Sequence, residues 1–347
     1  MPPQGVAKGV LSMKNRREIL KAGAAGAAVI ACPALVSAQS REPFVMMTPF
    51  GYIADFIEMM NAITGGHMAK QGLDAKLLGG QGTAQPIQQL ITGGAQMIRA
   101  SGIDVMRAIS TTKTPLISIA TMYQASTFHM VSLKSKPITR AEDLAGKTVG
   151  IVSVGGTTDV YLDLILAKGG LKKDDVKREV TGNSPGAVQI MKQGRVDCFI
   201  ASIQVVVALQ RMKENVEIWS TDRYAPMPGQ CYVSHRQAIA AKPDLFMRAM
   251  KAMRASAEEI MTQPLQPIFE RAAKQFEIPN IRNVGELVEV EKATADRLWL
   301  SEGRENLLRN VPRLWQSGVD ALRVNKIADP GDPETLYTNV FVDAAMK

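Results

Sequence analysis

Cysteine, histidine and aromatic residues are all scarce in this chain: three cysteines, three histidines and 5% aromatics in 347 residues. Cys198 and Cys231 sit in apolar stretches with no histidine at ligand spacing, which gives no support to a zinc site. They read as two buried free thiols, with a disulfide as the alternative in an oxidising compartment. His67, His129 and His235 stand isolated, and no chemistry is assigned to them. HExxH, CxxC and an ordered Ser-His-Asp set are absent, so no hydrolytic or cofactor-dependent enzyme is expected. Gly150 and Gly155 have P-loop spacing, but Gly156 stands where the motif needs lysine. Without a tract of Lys and Arg with interleaved aromatics, nucleic acid is not an expected partner.

Long apolar runs are missing too. The longest, Ala22 to Val36, falls short of the roughly 20 residues that span a bilayer. It follows the basic segment 14–21 and precedes Val36-Ser37-Ala38, a small-x-small cleavage pattern. Residues 1–38 therefore read as an export signal, and the Arg16-Arg17 pair resembles a twin-arginine leader. Ile19 in place of the usual Phe keeps the general secretory route open. Val29-Ile30-Ala31-Cys32 gives a weaker lipoprotein reading, with Pro33 against it. Removing the leader leaves 36 basic residues against 32 acidic ones, so a net charge of +8 falls to +4. Much of the basic pI belongs to the leader. The expected location is the periplasm.

What is present is a repeat. Residues 87–101 (IQQLITGGAQMIRAS) align without a gap to residues 188–202 (VQIMKQGRVDCFIAS). Ile87 meets Val188, Gly93 meets Gly194, and Ala100-Ser101 meets Ala201-Ser202. Each copy reads as a short helix, a glycine stop and a buried strand. Upstream, Pro49-Phe50-Gly51-Tyr52 opens one helix and Gly155-Gly156-Thr157-Thr158 opens another, with Thr157 or Thr158 as its cap. The unit strand–loop–helix–strand–loop–helix–strand thus occurs twice, in a right-handed βαβ layout. The expected fold class is α/β: two lobes, each a mostly parallel sheet flanked by helices, with a ligand cleft between them. The expected lobes are residues 39–125 with 225–347, and residues 126–224. Crossovers are expected near 124–128 and 218–230. From Ala238 onward helix dominates, with Met247, Met250, Met253 and Met261 at core spacing. Ligands of such sheets sit beyond the strands' carboxyl ends, so the loops at 48–52 and 153–158 are expected to face an interlobe cleft.

These features together resemble the substrate-binding proteins of ABC importers, in the branch that includes sulfonate, taurine, nitrate and thiamine-pyrimidine binders. The leader, the paired helix–Gly–strand units, and LAGKTVGI followed by a Gly/Ser/Thr loop carry the likeness, over residues 43 to about 275. The resemblance implies a monomeric periplasmic protein with the two-lobed periplasmic-binding-protein fold, type II-like, that closes on a small-molecule solute by a hinge and hands it to a membrane permease of an ABC importer. By position it implies ligand contacts at Gly51, Tyr52, Ser101, Tyr123, Gln124, Gly155, Gly156, Thr157, Thr158, Asn183, Ser202, Arg223 and Tyr224. The competing reading for the tyrosines is packing, and for Arg223 a solvated charge. Helix N-termini and hydroxyls suit an oxyanion, each gaining roughly 0.3–1 kcal/mol from the dipole. Arg223 would suit a sulfonate or carboxylate through a two-pronged contact. The expected ligand is a small organic anion, an alkyl or aryl sulfonate or an aromatic carboxylate. A neutral pyrimidine or thiamine precursor is the alternative. A pyrimidine-forming enzyme of the same fold group lacks support, because its cysteine-rich segment is absent here. Tripartite ion-driven importers and sensor partners remain as other settings for such a protein.

Overall fold

A computed structural model describes residues 41–346. The leader and the Cys32 reading lie outside the described residues. The first sheet begins with β1 (Glu42–Thr48), β2 (Leu73–Gly79), β3 (Met97–Ser101) and β4 (Leu116–Tyr123). The second holds β5 (Phe128–Leu133), β6 (Thr148–Ile151), β7 (Lys177–Val180), β8 (Cys198–Ser202) and β9 (Val216–Ser220). The chain then returns, and β10 (Gln230–His235) completes the first sheet. The sheet orders are β2-β1-β3-β10-β4 and β7-β6-β8-β5-β9. In each, the first three strands are parallel. The fourth, β10 or β5, runs antiparallel to both neighbours. The architecture is two mixed α/β sheets, each flanked by helices.

Strands covered on both faces need continuous apolar runs rather than alternation. β3, β4 and β8 are buried along their whole lengths. The repeat forms as expected: α3 (Ala84–Ile91) leads to β3, and α6 (Ala187–Lys192) leads to β8. Gly93 and Gly194 end these helices at φ of 76° and 75°, a backbone region where a side chain is strained. Four more helices complete the units: α1 (Ile57–Thr64) with α2 (His67–Lys70), α4 (Gly102–Thr112) after β3, and α5 (Thr157–Lys168) after β6. After β8 comes α7 (Ile203–Arg211).

Beyond β10 the chain is helical: α8 (Arg236–Ala241), α9 (Pro243–Thr262), α10 (Leu265–Ala272), α11 (Val284–Thr294), α12 (Pro312–Val324) and α13 (Val340–Ala345). Pro243 and Pro312 stand in first turns, where the missing N–H costs nothing. Met250 and Met253 are fully buried, and Met247 and Met261 pack against the same core. That core runs from β1 and α1 through α9 to α7 and β8, so α9–α11 tie the two sheets together. Cys198 and Cys231 are buried and free, in different sheets.

The chain passes between sheets twice, after Tyr123 and after Ser220. The passages touch: the Gly229 N–H donates to the Tyr123 carbonyl at 2.8 Å. A Cβ on Gly229 would collide with the carbonyl oxygen of Ala125, so only glycine fits. Among the described residues no helix is long and apolar enough to cross a membrane.

Candidate functional site

A cavity of about 450 Å³ opens between the sheets, at the carboxyl ends of their parallel strands. Tyr123 ends β4, Ser202 ends β8, Phe128 opens β5 and Gln230 opens β10, and all four line it. Phe50 and Asp55 come from the loop after β1, Asn183 from the loop after β7, Gln204 from the first turn of α7, and Leu287 and Val290 from α11.

The first-sheet wall rests on buried charge. Arg99 in β3 and Glu58 in α1 are both wholly inaccessible and form an ion pair. The Tyr232 hydroxyl donates to Glu58 at 2.8 Å, and Arg99 lies under the Tyr123 ring at 4.6 Å. A buried pair is tolerated only with such added contacts. Tyr123 in turn donates its hydroxyl to the Asp55 carbonyl at 3.1 Å. Burial pushes the Asp55 carboxyl up to about 6, with Arg99 opposing and Glu58 adding to the rise. The Gln204 side-chain amide donates to that carboxylate, so α7 of one lobe reaches Asp55 of the other. Glu291 in α11 is buried, and burial holds its carboxyl well above the usual range. Thr127 Oγ1 and Gln230 Oε1 are buried at the cavity without a hydrogen-bond partner.

Of the expected ligand contacts, the structure brings Tyr123, Asn183 and Ser202 to the cavity. Asn183 and Ser202 hold each other by two hydrogen bonds, Nδ2 to Oγ at 2.9 Å and Ser202 N to Oδ1 at 3.1 Å. The other ten lie elsewhere. Gly51 makes a left-handed turn, and Tyr52 packs on Phe276 while bonding the Leu77 carbonyl. Ser101 caps α4 by accepting from Asp104 N at 3.1 Å. Gln124 turns inward and donates to the carbonyls of Thr121, Asn306 and Arg309.

The 153–158 loop does not line the cavity. Its Gly155 carbonyl accepts from Arg107 in α4 at 3.4 Å, so it faces that helix. Gly156 rather than a threonine is the N-cap of α5, because Thr158 Oγ1 is occupied by the Val152 N–H at 3.0 Å. Arg223 is exposed and donates to the Thr139 carbonyl at 2.7 Å. Tyr224 accepts from Ala141 N and packs on Trp219. Both belong to an outer hollow shared with Lys168 and Arg313. Asp55, Thr127, Gln204 and Gln230 were not among the expected contacts. Their sequence signal is position alone: Asp55 and Gln204 at helix starts of the repeated unit, Thr127 just before β5 and Gln230 at the start of β10.

The family model described as "NMT1/THI5 like" matches residues 53–266. The chain belongs to the NMT1/THI5-like family. No curated protein matches. Solved structures do, and they share the two-lobed fold of this NMT1/THI5-like chain. The periplasmic aliphatic sulphonate binding protein SsuA from Escherichia coli aligns over 85% of this chain and 91% of its own, at 14% identity and a TM-score of 0.64. The periplasmic nitrate-binding protein NrtA from Synechocystis PCC 6803 aligns over 88% of each chain, at 13% identity and TM-score 0.59. The desulfurization enzyme DSZB aligns over 88% of this chain and 99% of its own, at 14% identity and TM-score 0.57. The two-lobed, type II-like architecture that the resemblance implied is thus the observed one, and the fold hosts both binding proteins and an enzyme.

Proposed function

We propose that this chain is an extracytoplasmic solute-binding protein that encloses one small organic solute in the interlobe cavity and delivers it to an ABC permease. The observation that carries this reading is the cavity itself. It is walled by both lobes at their strand ends, with Tyr123, Ser202 and the first turn of α7 meeting there. Its volume suits a small molecule. No cluster of three potential metal-ligating side chains occurs among the described residues. A solute held by two lobes favours a closed arrangement, and such closure is what a permease can read. An organic anion of the sulfonate or carboxylate kind finds donors in the first N–H groups of α7, which no side chain caps. The Arg223 clamp is no part of this reading, since that side chain lies outside the cavity.

The test is a thermal-melt series of the protein against sulfonates, taurine, nitrate, aromatic acids and pyrimidines. A ligand at 100 times its dissociation constant adds about 2.7 kcal/mol, a shift of several degrees. A saturable shift with one class, without turnover, supports a binder. Conversion of that compound overturns it in favour of an enzyme.

A further inference from the structure

The charges that line the cavity are of one sign. Asp55 and Glu286 line it, and no lysine or arginine does among the described residues. The nearest buried cation, Arg99, is not part of the lining. Glu58, Tyr232 and the Tyr123 ring already engage it. Glu286 is met by Arg211 at 3.3 Å, near the outer end of α7. Asp55 has only a neutral side-chain partner, the Gln204 amide.

Two unused side-chain atoms at the cavity point the same way, while the uncapped N–H groups of α7 remain for an anionic group. Gln230 Oε1 can only accept a hydrogen bond, and Thr127 Oγ1 can accept one. Around them stand the rings of Phe50, Phe56, Tyr123 and Phe128. A carboxylate, spare acceptors and aromatic faces form a site for a nitrogen cation, which gains from charge-assisted hydrogen bonds and from the rings. A bare oxyanion in the same space meets the Asp55 carboxylate with no lysine or arginine in the lining to pair with it.

We infer that the cavity selects solutes carrying a protonated amine, and that Asp55 is the residue that selects them. This rests on the solute-binding reading and narrows it: an organic anion is admitted when it carries an amine as well. Gln204 is then a positioning residue, which holds the Asp55 carboxylate toward the cavity from the opposite lobe.

The experiment is calorimetric titration of the protein at pH 8 with matched pairs that differ in the amine alone. One pair is 2-phenylethylamine and 2-phenylethanol; the other is 2-aminoethanesulfonate and ethanesulfonate. The same titrations are run on Asp55→Asn and Asp55→Glu, with thermal melts to show that each variant is folded. The amine member of at least one pair should bind tenfold or more tightly than its amine-free partner. That preference should vanish in Asp55→Asn and persist in Asp55→Glu. If the amine-free members or plain oxyanions bind equally well or better, or if Asp55→Asn keeps the preference, the amine assignment is overturned and the solute-binding reading stands. If no compound in either pair and none in the wider melt series binds, both readings fall together.

Discussion

The two lobes are copies of one unit, and they differ most where their third strands hand over to a helix. Ser101 ends β3 and opens α4; Ser202 ends β8 and opens α7. Three residues after Ser101 stands Asp104, whose carboxylate takes bonds from Ser101 and Thr83 and fills the first turn of α4. Three residues after Ser202 stands Val205, and the first turn of α7 has no side-chain cap and opens on the cavity. The same helix start is thus satisfied internally in one lobe and left free in the other. A second difference lies two residues before each serine. There the first lobe buries Arg99 and the second buries Ile200. One wall of the cavity is held by a buried ion pair, and the other by apolar packing with the Asn183–Ser202 hydrogen bonds.

The largest expected effect breaks the second difference. Arg99→Met leaves Glu58 buried without its partner and should cost about 3–5 kcal/mol. The matching change in the other lobe, Ile200→Val, should cost about 0.5–1.5 kcal/mol. Equilibrium denaturation of both variants measures this, and equal losses would show that the ion pair is no keystone of its lobe.

A middle-sized effect follows from Asp55. Its folded carboxyl titrates at about 6 against an ordinary 3.8, because burial outweighs the attraction of Arg99, while Glu58 adds to the rise. The folded state therefore holds this proton more tightly than the unfolded state. That support is complete below about pH 4 and is lost as pH rises through 6. Well above pH 6 the unliganded protein bears a cost of about 3 kcal/mol relative to low pH. Asp55→Asn should then raise the melting temperature at pH 8 by several degrees and change it little at pH 4. A lower melting temperature at pH 8 would mean that the carboxylate stabilises the empty cavity.

The smallest effect on stability sharpens the first difference. Val205→Asp places in α7 the acid that α4 already carries. The helix start should be filled from within, and affinity for an oxyanion should drop at least tenfold, at a cost in stability of about 1–3 kcal/mol because Val205 is buried. Unchanged affinity for a solute that binds the parent would remove the α7 start from the site.

The duplication was legible because it is local. Helix, glycine and buried strand follow one another within fifteen residues, and their spacing survives in both copies. Tyr123 and Ser202 at strand ends, and Asn183 in the loop after β7, do line the cavity, because topology puts the positions that the resemblance implied there. Arg223 and Gln124 do not. The Arg223 side chain is directed by Thr139, 84 positions earlier, and that of Gln124 by Asn306 and Arg309, more than 180 positions later. No local pattern encodes such partners. Asp55 was overlooked because a lone acid at a helix start reads as an ordinary capping residue. Its meaning comes from Gln204, 149 positions away across the cavity.

The close contact between the two passages has a mechanical meaning. Because Gly229 is bonded to Tyr123 and lies against Ala125, the two connections are fastened to each other instead of running as separate tethers. That one fastening point fixes the spacing of Tyr123, at the end of the first passage's strand, and Gln230, next to Gly229, and both line the cavity.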